Sequence, residues 1–334
     1  MPATAASASR QTAPAPAPDS APQLPPHAPL IVILGPTAVG KTALAIRAAS
    51  ALNSEIVSAD SRQVYRHMDI GTAKPAPDEL AAVPHHLIDI VTPDQPYSLA
   101  EYQRAAYRAI QDIHARGRLP LLVGGTGQYI SAVLEGWGIP EVPPDPSLRA
   151  ELEDFAAAQG ARALHDRLRA VDPTAAGRID YRNIRRVVRA LEVSLLTGTP
   201  ISALQRKSPP PYRVLQIGLT LPREALYERI DARVERMIAA GLEREVRALL
   251  DAGYTWGCPA MSGLGYAQWQ PYLAGDATLD EVAGAIRRET RAFARRQYTW
   301  FRGHDSGIRW LDAAQTAPDA VIDMMRAWLA DEGA

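Results

Sequence analysis

The sequence predicts an α/β protein whose core is a doubly wound parallel sheet. Short runs rich in branched apolar residues, at 29–34, 119–123 and 214–219, are typical of strands buried on both faces of such a sheet. The first run passes through a glycine-rich loop into apolar residues at helical spacing. With 334 residues, of which 47% are apolar, the chain is long enough to bury such a core.

The glycine-rich loop, Gly35 to Thr42, reads Gly-Pro-Thr-Ala-Val-Gly-Lys-Thr and has the spacing of a P-loop. Its glycines let the backbone wrap a phosphate with N–H groups, and the following helix adds positive potential. Lys41 supplies a charge, and the Thr42 hydroxyl can ligate Mg²⁺. We therefore predict a P-loop NTPase-like core that binds a di- or triphosphate through Gly35, Pro36, Thr37, Ala38, Val39, Gly40, Lys41 and Thr42.

Two further strand ends are expected beside this loop. A strand at residues 55–58 precedes Asp60, and ligands of doubly wound sheets lie at the carboxyl ends of the strands. The strand at 119–123 ends in Gly124, Gly125 and Thr126, where a nucleoside triphosphatase would place an acid for Mg²⁺ or water. The nearest such acid is Asp89. The glycines leave space for a ligand, and Thr126 offers a hydroxyl.

Four motifs follow one another at residues 35–42, 58–65, 69–75 and 124–129, with Ser-Ala-Asp-Ser-Arg-Gln-Val-Tyr as the second and Gly-Gly-Thr-Gly-Gln-Tyr as the fourth. Together with segments at 84–89, 189–193, 265–266 and 296–302, they resemble the tRNA dimethylallyltransferases in their compact bacterial form. The resemblance covers about residues 29–302. The chain departs from the family pattern at 261–267, where Ser262, Gly263 and Ala267 replace basic or amide residues.

The resemblance implies transfer of a dimethylallyl group from dimethylallyl diphosphate to N6 of adenosine 37 in the tRNA anticodon loop. An adenine amine is a poor nucleophile, so a carboxylate that accepts its proton would help, and Asp60 is the candidate general base. The P-loop and Mg²⁺ would stabilise the pyrophosphate leaving group. The implied catalytic residues are Asp60, Thr126 and Arg233, and the implied tRNA contacts near them are Asp60, Ser61, Arg62, Gln63 and Thr126.

Each role has an alternative. Asp60 could cap a helix that starts at Ser61. The Thr126 hydroxyl could instead make a local hydrogen bond within a turn. Arg229 or Arg236 lies close enough to Arg233 in sequence to exchange roles with it.

A row of arginines predicts contact with RNA phosphates. If residues 178–195 form one helix, Ile184, Val187, Val188, Leu191 and Leu195 make a buried stripe. The opposite face then carries a basic row within a sector of roughly 60°, because successive residues are about 100° apart. Alternatively, this face is exposed to solvent and contacts no RNA. The predicted tRNA-binding arginines are Arg182, Arg185, Arg186 and Arg189, with Arg178 in the same row and Arg287, Arg291 and Arg295 as an extension.

The proline-rich stretches 141–147 and 208–212 are predicted hinges. They bracket a helical tRNA-binding insertion at 141–207, so that 29–140 and 208–334 form the core, with a strand at 214–219 followed by helices. Residues 1–28 are rich in alanine and proline and predict a disordered tail.

Composition limits the partners. A net charge of -1 argues against binding nucleic acid by bulk charge, and one cysteine argues against a disulfide framework. The sequence has neither a membrane-spanning apolar stretch nor a secretory signal. We expect a soluble cytoplasmic monomer without an obligate protein partner. Two alternative functions are a P-loop small-molecule kinase that uses ATP and a non-catalytic nucleotide-dependent RNA binder.

Overall fold

A computed structural model describes residues 27–304 and 307–331. Six parallel strands form one sheet in the order β3-β2-β4-β1-β5-β6. Their bounds are β1 Ala28–Leu34, β2 Ser54–Ala59, β3 His85–His86, β4 Leu119–Gly124, β5 Tyr212–Thr220 and β6 Ile308–Asp312. The predicted doubly wound α/β class is therefore confirmed.

Helices cover both faces of the sheet and connect its strands. Their bounds are α1 Lys41–Leu52, α2 Pro77–Ala82, α3 Leu99–Ala115, α4 Gly127–Glu135, α5 Pro146–Gln159, α6 Ala161–Val171, α7 Pro173–Arg178, α8 Ile184–Thr197, α9 Ile201–Leu204, α10 Arg223–Ala239, α11 Leu242–Asp251, α12 Trp269–Ala274, α13 Leu279–Gly303 and α14 Pro318–Ala330. Among the residues that the structure describes, none of these helices is long and apolar enough to cross a membrane.

The central strand β1 is buried on both faces, which explains its continuous apolar run. Residues 30–34 are at most 1% exposed. One face packs against α1 and α14, and the other against α3 and α4. The spacing predicted for α1 is confirmed, since its buried residues are Leu44, Ala45, Ala48 and Ala49.

The strand register aligns the ends of β1, β2 and β4. Leu34 and Ala59 both pair with Gly124, so the loops that follow these strands lie side by side. A methyl group at Gly124 would collide with the Ala59 carbonyl. This close approach requires glycine and brings the two loops together at one edge of the sheet.

The five helices α5 to α9 have a hydrophobic cluster of their own, centred on Leu152, Leu164, Leu168, Val187 and Leu191. The two chain segments that lead into and out of these helices are paired. The Gly138 amide donates to the Arg206 carbonyl at 2.6 Å, and the Ser208 amide donates to the Gly136 carbonyl at 2.9 Å. The helical segment is thus joined to the core through two chain segments that hydrogen-bond to each other.

Two predictions about elements need correction. Only helices were expected after residue 219, but β6 extends the sheet as an edge strand. Its sequence, Ile-Arg-Trp-Leu-Asp, carries charges because this edge is partly exposed. At the other border of the sheet, His85 and His86 form the two-residue strand β3. The tail was predicted over residues 1–28. Residues 1–26 lie outside the described part of the chain, and Ala28 already belongs to β1.

The single helix expected over residues 178–195 is also wrong. Helix α7 ends at Arg178, a turn follows, and α8 begins only at Ile184 with Asn183 as its N-cap. The Asn183 side chain accepts from the Arg186 amide, which explains why the helix starts there. Leu195, placed in the buried stripe, is 51% exposed.

Candidate active site

The loop from Gly35 to Thr42 connects β1 to α1 and has the backbone that phosphate binding requires. Gly35 and Gly40 have φ angles of 145° and 110°, which residues with a side chain rarely adopt. Gly40 caps α1 without a side-chain hydrogen bond, so the amides of the first helical turn face the loop unoccupied by a cap. The eight predicted residues therefore form a loop at a helix N-terminus, a geometry that could hold an anion.

Basic side chains converge on this loop from α1 and α10. The Lys41 Nζ donates to the Pro36 carbonyl at 2.7 Å, which closes the loop on itself. Arg233 donates to the Thr37 hydroxyl at 3.3 Å, and Arg229 donates to the Val39 carbonyl at 3.3 Å. Arg233 and Arg229 thus have different positions, and Arg233 is the one that lines both cavities at the loop together with Lys41.

Burial lowers the pKa values of two cations at this loop, Lys41 and Arg233. Desolvation lowers the pKa of Lys41 to about 7; Asp60 opposes this change and Arg233 adds to it. Desolvation also lowers the pKa of Arg233, again against the attraction of Asp60. A buried cluster of cations with one carboxylate nearby is stabilised when an anion binds to it.

Asp60 and Thr126 lie in two neighbouring loops that hydrogen-bond to each other. The Asp60 Oδ1 accepts from the Arg62 amide at 2.8 Å and the Gln63 amide at 3.4 Å, which forms a turn and not the start of a helix. The Thr126 hydroxyl accepts from the Ser61 amide at 3.0 Å and donates to the Ser61 hydroxyl at 3.3 Å. The structure therefore brings the predicted residues Asp60, Ser61 and Thr126 together.

The remaining two residues of the Asp60 loop have different surroundings. The Gln63 side chain donates to the carbonyls of Thr72 and Ala73 at 3.4 and 3.2 Å and accepts from the Ser58 hydroxyl at 3.2 Å. It supports the loop at 69–75. The Arg62 side chain lies near Gly263.

Two adjoining cavities border the P-loop and share Lys41, Thr42 and Arg233. The smaller one has a volume of about 80 Å³ and is also lined by Asp60 and Gly125. The larger one has a volume of about 1040 Å³ and opens between the P-loop, the segment 69–80 and α10. Asp89, the acid considered at a strand end, borders the larger cavity and pairs with Lys74. The space beside the P-loop therefore continues to Asp60.

Gln297 of α13 is a site residue that sequence reasoning missed. Its side chain is 6% exposed and lines the smaller cavity. The Oε1 accepts from the Thr37 amide at 2.8 Å, and the Nε2 donates to the Gly125 carbonyl at 2.9 Å. The segment 296–302 carried the family resemblance, but nothing in that pattern shows that a glutamine 260 positions away contacts the P-loop.

The predicted tRNA-binding arginines separate into two groups. Arg185 and Arg186 are exposed and line a groove of about 500 Å³ that reaches Gln128 of α4. Arg182 lies in the turn before α8 and pairs with Asp180 at 2.6 Å. Arg189 also borders the groove but binds the buried Glu192 at 2.6 Å and the Val142 carbonyl at 3.0 Å, so its guanidinium holds the insertion together.

The arginines of α13 that were predicted to extend the basic row have partners within the protein. Arg287 pairs with Glu235 at 3.1 Å, and Arg291 pairs with Asp231. Arg295 donates to the Tyr227 hydroxyl at 2.9 Å. All three partners belong to α10, so these arginines fasten α13 to α10.

Comparisons with known proteins identify the family of the chain. A family model described as IPP transferase matches residues 63–304, and one described as isopentenyl transferase matches residues 28–92. The chain is similar to the tRNA dimethylallyltransferase of Roseiflexus sp. (strain RS-1), with 58% identity over 90% of this chain and 99% of that protein. The enzyme of the same name from Chloroflexus aurantiacus is 62% identical over 82% of this chain and 92% of its own.

Solved structures show the same architecture. The tRNA isopentenylpyrophosphate transferase of Bacillus halodurans superposes with a TM-score of 0.67 at 43% identity, covering 90% of this chain and 95% of that one. A eukaryotic dimethylallyltransferase captured acting on tRNA superposes with a TM-score of 0.78 at 25% identity, covering 92% and 80%. The chain therefore belongs to the IPP transferase family, as its motifs predict, together with the tRNA dimethylallyltransferases that it resembles.

Proposed function

We propose that the protein transfers a dimethylallyl group from dimethylallyl diphosphate to N6 of adenosine 37 in tRNA, giving N6-isopentenyladenosine and pyrophosphate. As a member of its family, the protein is a prenyltransferase that acts on tRNA. The observation that carries the finer proposal is the cavity that joins the P-loop cations to Asp60. A diphosphate bound at one end of this space presents its ester carbon toward the carboxylate at the other.

The P-loop binds the diphosphate of the donor and stabilises the pyrophosphate that leaves. Lys41 must exchange the Pro36 carbonyl for a phosphate oxygen, which is a stronger acceptor because it is charged. Arg233 reaches the same space, and the amides at the start of α1 add neutralising dipoles. The chain therefore offers most stabilisation when the carbon–oxygen bond breaks and negative charge accumulates on the leaving group.

Asp60 accepts the proton of the adenine amine. Its Oδ1 is held by two backbone amides, which fixes the orientation of the carboxylate and leaves Oδ2 for the substrate. Thr126 holds the Asp60 loop through Ser61, so it contributes by positioning as well as by its hydroxyl near the acceptor. For Asp60 a turn contact and a catalytic contact are compatible, because they use different oxygens.

The donor set suits a Mg²⁺ ion that is shared with the diphosphate. The described residues contain no cluster of three or more histidine, cysteine or acidic side chains that could hold a metal alone. Mg²⁺ typically binds substrate phosphates, water and one or two protein oxygens, and Thr42 lines both cavities, the smaller one together with Asp60. When bound, the ion would supply positive charge that neutralises the leaving pyrophosphate.

The tRNA anticodon loop contacts the groove between the helical insertion and α4. Arg185 and Arg186 are the exposed cations of this groove, while Arg182 and Arg189 have internal partners. Residues 141–207 act as the lobe that grips tRNA, and 29–140 with 208–334 form the catalytic core. Adenosine 37 must leave its stack to reach Asp60, next to which Ser61, Arg62 and Gln63 are placed to contact the flipped base or its neighbours. We expect a cytoplasmic monomer that needs no other protein.

A direct test incubates the protein with Mg²⁺, labelled dimethylallyl diphosphate and unmodified tRNA. Label should enter the RNA at adenosine 37 with release of pyrophosphate. Consumption of ATP without labelling of RNA would instead support a P-loop kinase. Binding of tRNA without either reaction would support a non-catalytic RNA binder.

A further inference from the structure

The Gln297 carboxamide bridges the loop that binds the donor and the loop that faces the acceptor. The Oε1 accepts from Thr37 in the P-loop, and the Nε2 donates to Gly125, one residue before Thr126. Only one orientation of the amide satisfies both contacts, since Thr37 offers an N–H and Gly125 a carbonyl oxygen. A glutamine at this position therefore fixes two loops with the two ends of one small group.

The surroundings of Gln297 are built for this contact. A methyl group at Gly125 would collide with the Gln297 Nε2 and would also lie 3.3 Å from the Gly35 carbonyl. The glycine thus allows the amide to approach both loops. Gln297 is buried, so loss of one hydrogen bond would leave an unpaired polar group in the protein interior.

Both loops continue directly to reacting groups. On the donor side, Thr37 binds Arg233 and belongs to the P-loop. On the acceptor side, the Thr126 amide donates to the Ala59 carbonyl at 3.1 Å, and its hydroxyl holds Ser61 beside Asp60. Gln297 is the side chain that contacts both sides at once.

We propose that Gln297 is a positioning residue that sets the distance between the donor diphosphate and the general base Asp60. This inference rests on the proposed function. Its effect lies on the chemical step, because displacement of reacting groups by about 1 Å can cost roughly 100-fold in rate. Binding of either substrate alone depends much less on the spacing between the two loops.

The test compares Gln297→Glu with the wild-type protein in the labelled-tRNA assay. A carboxylate still accepts from Thr37 but repels the Gly125 carbonyl, so kcat at saturating dimethylallyl diphosphate should fall by about 10- to 100-fold. Lowering the pH protonates the new carboxyl group, which can then donate to Gly125. The ratio of variant to wild-type kcat should therefore rise as the pH falls, a gain that a merely structural residue would not give.

Thr290→Val is the matched control, because Thr290 lies two turns earlier on α13, is 7% exposed and bonds only to the Ile286 carbonyl of its own helix. It should keep wild-type kcat. Gln297→Met, with folding checked by circular dichroism, keeps the shape without either hydrogen bond and adds no charge, so its kcat should fall by about 10- to 100-fold while its KM for dimethylallyl diphosphate changes less than about threefold. An unchanged kcat in either variant, an equal effect of Gln297→Met on kcat and KM, or a constant ratio of Gln297→Glu to wild-type kcat across pH would each overturn the inference. Failure of the wild-type protein to label tRNA would instead reject the proposed function.

Discussion

In the proposed mechanism the two oxygens of Asp60 have different roles, which can be tested at the scale of one residue. Asp60→Asn keeps the oxygen that accepts from the Arg62 and Gln63 amides and removes the base. We expect transfer to tRNA to fall by roughly 10²- to 10⁴-fold, the usual contribution of a general base. Binding of dimethylallyl diphosphate, followed by calorimetry, should be nearly unchanged. Loss of donor binding as well would identify Asp60 as a structural residue.

Because burial lowers the pKa of Lys41, we predict that the protein takes up a proton when it binds the donor above pH 7. Burial lowers its pKa to about 7 in the free protein, so the side chain is mostly neutral at pH 8, whereas a bound diphosphate favours the ammonium. The affinity for dimethylallyl diphosphate should therefore fall from pH 7 to 9 at constant Mg²⁺. Calorimetry in two buffers with different ionisation enthalpies measures the proton uptake directly.

The lowered pKa of Lys41 also makes the free energy of unfolding depend on pH. The unfolded chain keeps this proton up to the ordinary value of 10.5, while the folded protein releases it near pH 7. Between these values the unfolded state binds more protons, so the contribution of Lys41 to the free energy of unfolding rises with pH. Lys41→Met should abolish both the proton uptake and this slope. Persistence of the uptake in the variant would assign it to another group.

Residues of the site differ in how far the sequence could reveal them. The P-loop is a local pattern, so its eight residues and the strand and helix beside it were predictable from spacing alone. Asp60 and Thr126 meet because β2 and β4 are neighbours, which a strand-end rule anticipates. Gln297 obeys no such rule, because its partners depend on where α13 crosses the sheet.

At the scale of the element, α8 gives the sequence-based prediction its clearest failure. The one-sided row assumed an unbroken helix, but Asn183 starts a new helix and turns Arg182 out of the row. Neighbouring acids then decide which arginines remain available: Glu192, fully buried, binds both Arg149 and Arg189. Such pairings are three-dimensional and cannot be predicted from spacing along one helix.

Arg185 and Arg186 should therefore govern tRNA binding. Arg185→Glu with Arg186→Glu is expected to weaken tRNA binding at least tenfold at low salt and to reduce the dependence of log Kd on log salt by about 0.7–0.9 per lost phosphate contact. The KM for the donor should stay the same. Filter binding across a salt series measures both effects.

Arg309→Glu with Arg326→Glu makes the same change in net charge on β6 and α14. This control should leave the salt dependence of tRNA binding close to that of the wild-type protein. If both double variants weakened binding equally, the groove would carry no special role and bulk charge would explain the effect.

At the scale of the whole molecule, the insertion is joined to the sheet by the paired segments at 136–138 and 206–208. Gly136 has a φ angle of 59°, and a methyl group there would collide with the Ser208 carbonyl. Gly136→Ala should separate the two segments and weaken tRNA binding several-fold while donor binding persists. Titrations with each substrate measure the two affinities.

Gly198→Ala is the control for backbone strain. Gly198 has a φ angle of 66°, but its added methyl group would meet nothing within 4 Å. Both variants carry the cost of a left-handed residue, roughly 1–2 kcal/mol, and only Gly136→Ala adds the collision. Equal effects on tRNA binding would attribute the loss to strain and not to the joint.

The outer strands of the sheet have a consequence for the behaviour of the protein in concentrated solution. A long exposed edge strand offers unpaired amides and carbonyls that recruit other chains and start aggregation. Here one border is β3, with only two residues, and the other is β6, with five residues that include Arg309 and Asp312. Neither border offers a long apolar template, so the sheet resists growth by addition of a foreign strand even though its centre is built from some of the most apolar sequence in the chain.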